Sequence, residues 1–344
     1  MPTKVELHHM KTPRITPTMA EVAAAAGVSQ QTVSRVLNGN PAVSAKTRQK
    51  VREAIAALEY RPNLAARALV TGSTSIIGVL VSSTTLSGPS SALLGIEQTA
   101  RQSGYWVSMA GLQSNTTDEV ADVVSHFINQ GVDGIIAVAQ THIAVDATLD
   151  AVGSMPTVLV TCGQVPSDCF SVDIDQVDGA CQLMTILRGL GHTRIAHISG
   201  PSGDLHAAAR IEGWRSCLPD GADEMLVEGD WSSGSGYRAA MALLASDADP
   251  TAIFAGNDRM AFGALRALNE RGLSVPRDMS VVGFDNIEGS DCSIPPLTTI
   301  DQDHSALGSA AMDLMLEAMD GSPARSVKIS GQLIVRASTG VPPA

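Results

Sequence analysis

Thr18-Met19-Ala20-Glu21-Val22-Ala23-Ala24-Ala25-Ala26-Gly27-Val28-Ser29-Gln30-Gln31-Thr32-Val33-Ser34-Arg35-Val36-Leu37 is the stretch that decides how the chain begins to fold. Thr18 and Glu21 form a capping box, in which the Thr18 hydroxyl accepts a first-turn N–H while the Glu21 carboxylate reaches back to the cap. Val22, Ala23 and Ala26 supply a small apolar face to the helix that follows. Gly27 can take the left-handed conformation that ends this helix, and Ser29 can cap a second one almost at once. Two helices so closely joined cross steeply. On the second helix Val33, Val36 and Leu37 fall on one face, and Gln30, Gln31, Ser34 and Arg35 on another. The first set packs and the second is free. Gln pairs bidentately with adenine and Arg with guanine, so the free face suits a major groove. A merely solvated face is the bland alternative.

The flanking sequence extends the pattern. Ser44 caps a third helix, in which Val51, Ile55 and Leu58 recur at helical spacing and Lys46, Arg48, Lys50 and Arg52 surround the start, as core plus phosphate contacts. Arg61-Pro62-Asn63 stops it. Asn63 can cap a further segment, residues 64–69, that ends by Gly72 and is too short to stay helical alone in water. It needs a partner or a surface. Residues 1–17 show no periodicity and read as a flexible basic arm.

Charge divides at the same place. Residues 1–72 carry ten Lys/Arg against four Asp/Glu, net +6, whereas the remainder is net −18, giving −12 for the 344 residues. Attraction to phosphate is therefore confined to the head. Five cysteines without a C-x-x-C spacing suggest neither a disulfide framework nor a zinc site, and reduced thiols are expected. No apolar run reaches the length of a membrane span, and residues 1–17 lack a signal-peptide core, so a cytoplasmic protein without membrane contact is expected.

After Gly72 short β-branched runs alternate with helical periods: 76–81, 105–110, 134–139, 157–161, 194–199, 225–228, 252–256 and 280–284, separated by helices such as 118–130 and 261–271. Such runs indicate parallel sheets covered on both faces, an α/β fold. Eight units exceed one comfortable sheet. The loop 169–178 divides them into two similar halves, suggesting two doubly wound lobes with a ligand cleft beyond the strand ends. Ser82, Asn257-Asp258 and Asp285-Asn286 lie at those ends, with Arg210 and Trp231 in neighbouring segments. Hydroxyls accept from Arg and Asn and donate to a carboxylate, and a sugar ring lays its apolar face on Trp, so a neutral polyol suits this set. For Asn257 and Asp285, helix capping is an equally good reading of the spacing.

Ala20-Glu21-Val22-Ala23, Gly27-Val28-Ser29, Thr32 through Asn38, Val43-Ser44 and Tyr60-Arg61-Pro62-Asn63 resemble the lac repressor family of bacterial regulators. The likeness continues through Ala209 to Trp214, Glu228 to Ser232, Gly256 to Ala261 and Ile294 to Ile300, where it is strongest to the family's namesake. It implies a small all-α helix-turn-helix DNA-binding domain ahead of a two-lobed, periplasmic-binding-protein-like sensor of doubly wound parallel sheets. The divisions are 1–17 for the arm, 18–61 for the DNA-binding domain, 62–73 for hinge helix and linker, and 74–344 for sensor and dimerisation.

For the head, the resemblance implies that Gln30, Gln31 and Arg35 face base edges, beside Thr18, Ser29, Thr32, Ser34 and Asn38. It also implies that two hinges, with Asn63 and Ala66, pair and insert Leu69 into the minor groove. For the sensor it implies that Arg210, Asn257 and Asp285 hold sugar hydroxyls and that Trp231 stacks on the ring. Ser82, Leu86, Pro89 and Gln302 then line the pocket. The family's namesake has an aromatic at the position of Gln30, a carboxylate at Thr161 and a Phe at His304, so the operator and sugar are expected to differ; Thr161 and His304 join the ligand set. The chain ends without the Leu-heptad helix of that namesake, and a homodimer is expected.

The expectation is a repressor of carbohydrate-utilisation genes, on a pseudo-palindromic operator, released by a sugar inducer such as a β-galactoside or β-glucoside. A ligand acting as corepressor and a sugar-binding protein without a DNA role are the alternatives. Gly234-Ser235-Gly236-Tyr237-Arg238-Ala239 fits a loose dinucleotide-binding pattern, but no ribose-binding acid follows about 20 residues on in a βαβ unit. No catalytic residue, metal site or cofactor is expected.

Overall fold

A computed structural model describes residues 17–37, 39–60, 72–82, 87–218 and 225–343, for 87–89 in backbone only. The chain forms two compact units, residues 1–74 and 75–344.

In the first unit, caps set the helix ends. Helices α1 (Met19–Ala26), α2 (Gln30–Leu37) and α3 (Ala45–Ala57) follow one another. The capping box is formed: Glu21 N donates to Thr18 Oγ1 at 3.3 Å and Thr18 N to the Glu21 carboxylate at 2.6 Å. Gly27, at φ +66°, ends α1 in the left-handed region. Thr32 N donates to Ser29 Oγ at 3.2 Å, and Thr47 N to Ser44 Oγ at the same distance. Val22, Ala23, Ala26, Val33, Val51 and Tyr60 form the buried centre. Arg48, read from the sequence as a phosphate contact, turns its guanidinium onto the chain instead, donating to Asn40 O at 3.1 Å and Val43 O at 3.4 Å. Those carbonyls lie in the turn before α3, within reach of its first turn. Asn38, Asn63, Ala66, Leu69 and the whole of 64–69 lie outside the described residues.

In the second unit, residues 75–174 alternate strand and helix: β1 (Ile76–Val81), α4 (Ser87–Gln102), β2 (Trp106–Gly111), α5 (Thr117–Gln130), β3 (Gly134–Val138), α6 (His142–Val152), β4 (Thr157–Val160) and β5 (Phe170–Ile174). A second series follows: α7 (Gln176–Gly189), β6 (Ile195–Ser199), α8 (Leu205–Ser216), β7 (Leu226–Glu228), α9 (Ser233–Ala245), β8 (Ala252–Ala255), α10 (Asp258–Glu270) and β9 (Ser280–Val282). The chain closes with β10 (Thr299–Asp301), α11 (His304–Met319), β11 (Ser326–Ile329) and β12 (Gln332–Ile334). One sheet has the order β11-β5-β4-β3-β1-β2 and the other β7-β6-β8-β9, every pair parallel; β10 and β12 pair antiparallel. Each sheet is covered on both faces. Ile77, Val79 and Val158 pack under α4 and α11 with Ile96, Met312 and Met315, while Leu80, Ile135 and Leu159 pack with Val124, Phe127 and Val145. In the other lobe Ile198 and Ile253 meet Leu243 and Leu268, and Phe254 meets Leu183 and Trp214.

The sequence reading placed one division, within 169–178. The chain in fact passes between lobes three times, at 174–176, 301–304 and 329–332. The segment read as a dividing loop contains β5, whose five residues are all buried, and the first lobe is completed by α11 and β11 from near the other end of the chain. Ser171 and Asp173 interrupt the apolar run of β5 and hide it from a periodicity reading.

Candidate ligand cleft and nucleic-acid interface

The carboxyl ends of both sheets face one cleft, the place where ligands bind in open α/β sheets. Thr161, Arg210, Trp231, Asn257, Asp285, Gln302 and His304 all line it.

Arg210, on α8, organises the second-lobe wall. Its Nε donates to Gln176 Oε1 at 2.9 Å, Nη1 to the Gly256 carbonyl, and Nη2 to Asp285 Oδ1 at 3.4 Å. Gln302 Nε2 donates to the same Asp285 oxygen at 2.6 Å, and Gln176 Nε2 to Gln302 Oε1 at 2.9 Å. The guanidinium also lies 3.8 Å from the Phe284 ring centre. Burial pushes the Asp285 carboxyl above the ordinary range, against the pull of Arg210 and Gln302. Asp285 itself sits at φ +105°, a strained backbone for a non-glycine residue.

Trp231 is held the same way, at φ +68° with the residue 7% exposed. The ring occupies the place where a Cβ on Gly200 would be, 2.0 Å away, so only glycine fits at that position. Asn257 Nδ2 donates to the Trp231 carbonyl at 3.1 Å, while its Oδ1 accepts from Met260 N at 2.9 Å. Asn257 is therefore a helix cap, as one reading of the spacing had it, and it also lines the cleft. Asp258, next to it, serves structure alone. It accepts from Thr299 Oγ1 at 2.6 Å, Ser290 Oγ at 2.6 Å and Ile287 N at 3.0 Å, and burial pushes its carboxyl up to about 7.

Four side-chain atoms on the cleft's lining residues are buried without a hydrogen bond: Thr161 Oγ1, Trp231 Nε1, His304 Nδ1, and His206 Nδ1, which stands 3.8 Å from the Asp204 carboxylate. Burial holds both imidazoles neutral, His304 down to about 4. The cleft thus offers uncharged donors and acceptors beside a fixed Arg–Asp pair.

Among the sequence candidates, Ser82 is buried but does not line the cleft. Its hydroxyl donates to Val138 O at 3.0 Å and accepts from Gln140 N at 3.3 Å, tying the ends of β1 and β3. Leu86 and the side chain of Pro89 lie outside the described residues. Gln140, Asp173, Gln176, His206 and Arg259 line the cleft and were missed. Of the two glycines in 234–239, Gly236 serves packing: a Cβ there would stand 2.2 Å from the Met260 carbonyl oxygen, where α9 meets α10.

In the head, Gln30, Gln31 and Arg35 are exposed on α2. Thr18 and Ser29 are exposed caps; Ser34 and Thr32 are half-buried, and Thr32 Oγ1 lies 3.0 Å from Ser29 Oγ.

Residues 18–63 match the bacterial regulatory proteins of the lacI family, and 185–339 match a periplasmic binding protein-like domain. Over 332 residues the chain is 37% identical to the lactose operon repressor of Escherichia coli strain K12, covering 95% of this chain and 91% of that protein. The chain belongs to the lacI family. Its similarity to the ribose operon repressor of the same organism is 33% over 307 residues, 87% of this chain and 92% of that one. The lac repressor dimer bound to operator and the anti-inducer ONPF superposes with a TM-score of 0.86 at 36% identity, covering 94% of this chain and 99% of that one. The complex of the regulator CelR with cellobiose gives 0.70 at 29%, covering 94% and 99%. The lacI-family architecture, a helix-turn-helix head and a two-lobed sensor of parallel sheets, is the one expected from sequence.

Proposed function

We propose that this lacI-family chain is a dimeric transcriptional repressor that reads operator DNA through α2 and is released when a neutral sugar occupies the sensor cleft. The observation that carries the sugar is the set of four buried polar atoms on the cleft walls that make no hydrogen bond, the Trp231 indole N–H among them. A protein leaves such atoms unpaired at a cost of about 1–3 kcal/mol each unless something supplies the partner. Hydroxyls on a ring with an apolar face supply it, through Thr161, Trp231, His206 and His304. Arg210 and Asn257 hold Asp285 and Trp231 in their strained conformations, so that these side chains meet the ligand already oriented.

The relatives support the same reading: they include repressors of the lactose and ribose operons, and a regulator solved with cellobiose. On the head, the exposed Gln30, Gln31 and Arg35 read base edges, and Lys46, Lys50 and Arg52 lie exposed for phosphates. A β-galactoside or β-glucoside is the effector class.

A thermal-shift panel of sugars and glycosides identifies ligands by their stabilisation of the folded state. Titration of each hit against protein bound to a DNA site obtained by binding-site selection then gives the direction of control. Release is expected, and operator lowers sugar affinity by the same factor by which sugar lowers operator affinity. Tighter DNA binding with sugar reverses the inducer assignment, and a panel without a hit removes the sugar.

A further inference from the structure

The first-lobe wall of the cleft carries a second polar cluster. Val160 of β4 pairs with Val172 of β5, and Thr161 N donates to Val172 O at 3.2 Å, so one step further along the register Thr161 stands beside Asp173. Both line the cleft, and they are 3% and 9% exposed. Around them the wall is apolar, with Val138, Val160 and Ile174.

Neither group is fully paired within the protein. Thr161 Oγ1 has no hydrogen-bond partner, and Asp173 meets the backbone N–H of Ile174 and the buried Cys162 thiol, a weak donor, which leaves part of its hydrogen-bonding capacity open. Lys328, whose charge is felt at Asp173, directs its ammonium to Asp175 at 3.3 Å. Burial pushes the Asp173 carboxyl up to about 7, so that near neutral pH much of it carries an O–H and can donate as well as accept.

An alkyl or aryl group laid against this wall would leave the Thr161 hydroxyl unpaired and the Asp173 carboxyl only partly paired, and a site built to pair hydroxyls discriminates strongly against ligands that lack them. We propose that Asp173 and Thr161 form a hydroxyl-recognition pair that makes the sensor select a disaccharide over an alkyl or aryl glycoside of the same sugar. The inference rests on the sugar-sensor reading above. It adds that the effector carries hydroxyls toward both lobes, those facing the second lobe being met by the Arg210 and Asn257 wall.

Isothermal titration of the full chain with lactose and cellobiose, and with the methyl and phenyl β-glycosides of galactose and glucose, tests it. The unsubstituted protein is expected to bind one of the disaccharides at least about tenfold more tightly than the phenyl glycoside of the same sugar. Thr161→Val and Asp173→Leu should each lower disaccharide affinity about tenfold and narrow or invert that preference, whereas Asp173→Asn, which still donates and accepts, should keep it. Thr161→Val is nearly isosteric and decides the matter if Asp173→Leu fails to fold. A preference for the phenyl glycoside in the unsubstituted protein, or a preference unmoved by Thr161→Val, overturns the inference while leaving the sugar-sensor reading intact. Failure of every probe to bind overturns both.

Discussion

Arg210→Ala is expected to destabilise the sensor by about 3–5 kcal/mol at pH 7, the range for removing one partner of a buried ion pair. The structure accounts for the size. Arg210 and Asp285 approach at 3.4 Å with side chains 6% and 12% exposed. At an effective dielectric constant of about 20 that separation is worth about 5 kcal/mol of gross attraction, partly offset by the desolvation that the deletion relieves. The substitution also strips donors from Gln176 Oε1 and the Gly256 carbonyl, both buried. Asp285 is left with the Gln302 hydrogen bond and the more distant charge of Arg259.

The remaining charge has one escape. Burial already holds the Asp285 carboxyl above its ordinary value, and without Arg210 it rises further. The folded variant therefore keeps a proton that the unfolded chain releases above about pH 4, so its deficit shrinks as pH falls from 7 toward that value. All three tryptophans, Trp106, Trp214 and Trp231, lie in the sensor, so urea unfolding followed by indole fluorescence reports on this unit. Adding Asp285→Asn to Arg210→Ala should recover a substantial part of the loss at pH 7. A cost below about 1 kcal/mol at pH 7, or a larger cost that neither low pH nor Asp285→Asn relieves, would refute the buried-pair account.

On the head, Arg35→Ala should relax base preference at one position of the selected DNA site by about 1–3 kcal/mol; a uniform loss over all sequences, with a shallower salt dependence, would make Arg35 a phosphate contact. In the second lobe His197 is fully buried, bonded through Nδ1 to the Phe254 carbonyl at 2.9 Å, and burial lowers its pKa from 6.5 to about 4. Unfolding lets it take up a proton below pH 6.5, so this group draws down stability as pH falls from 6.5 to 4, by about 3 kcal/mol in all. His197→Asn should flatten that acid limb of the unfolding free energy, measured over the same range. An unchanged slope would mean that the imidazole is already charged in the folded protein.

Local chemistry made the head readable. Thr18, Glu21, Gly27, Ser29 and Ser44 act within one turn of where they stand in the chain, so their roles follow from spacing. The lobes were readable as classes of element, since β-branched runs and helical periods are also local. Their boundaries were not. Nothing in the residues of β5 or β11 says that they pair with each other, and that pairing decides which lobe owns the last helix. The cleft divides along the same line. Arg210, Trp231, Asn257 and Asp285 stand out by residue type near strand ends, and the family resemblance selects them. Asp173, by contrast, becomes a cleft residue only through the register of β4 on β5, and Gln176 only because the first crossing passes the pocket. Ser82 shows the converse, for position at a strand end does not say which way a side chain turns.

The triple passage of the chain between lobes has a consequence for synthesis. During translation β1 to β5 leave the ribosome long before α11 and β11 exist, so one face of the first sheet, with Val79, Val158 and Val172, is covered only in part, by α4, until Met312 and Met315 reach it. The second lobe is complete in sequence sooner, apart from the β12 return. The lobe that begins the sensor is thus the one finished last, and a nascent chain stalled or cut before residue 304 presents a half-covered apolar sheet face to chaperones and proteases. The two lobes are nested in time as well as in sequence, and neither can be made alone by simple truncation.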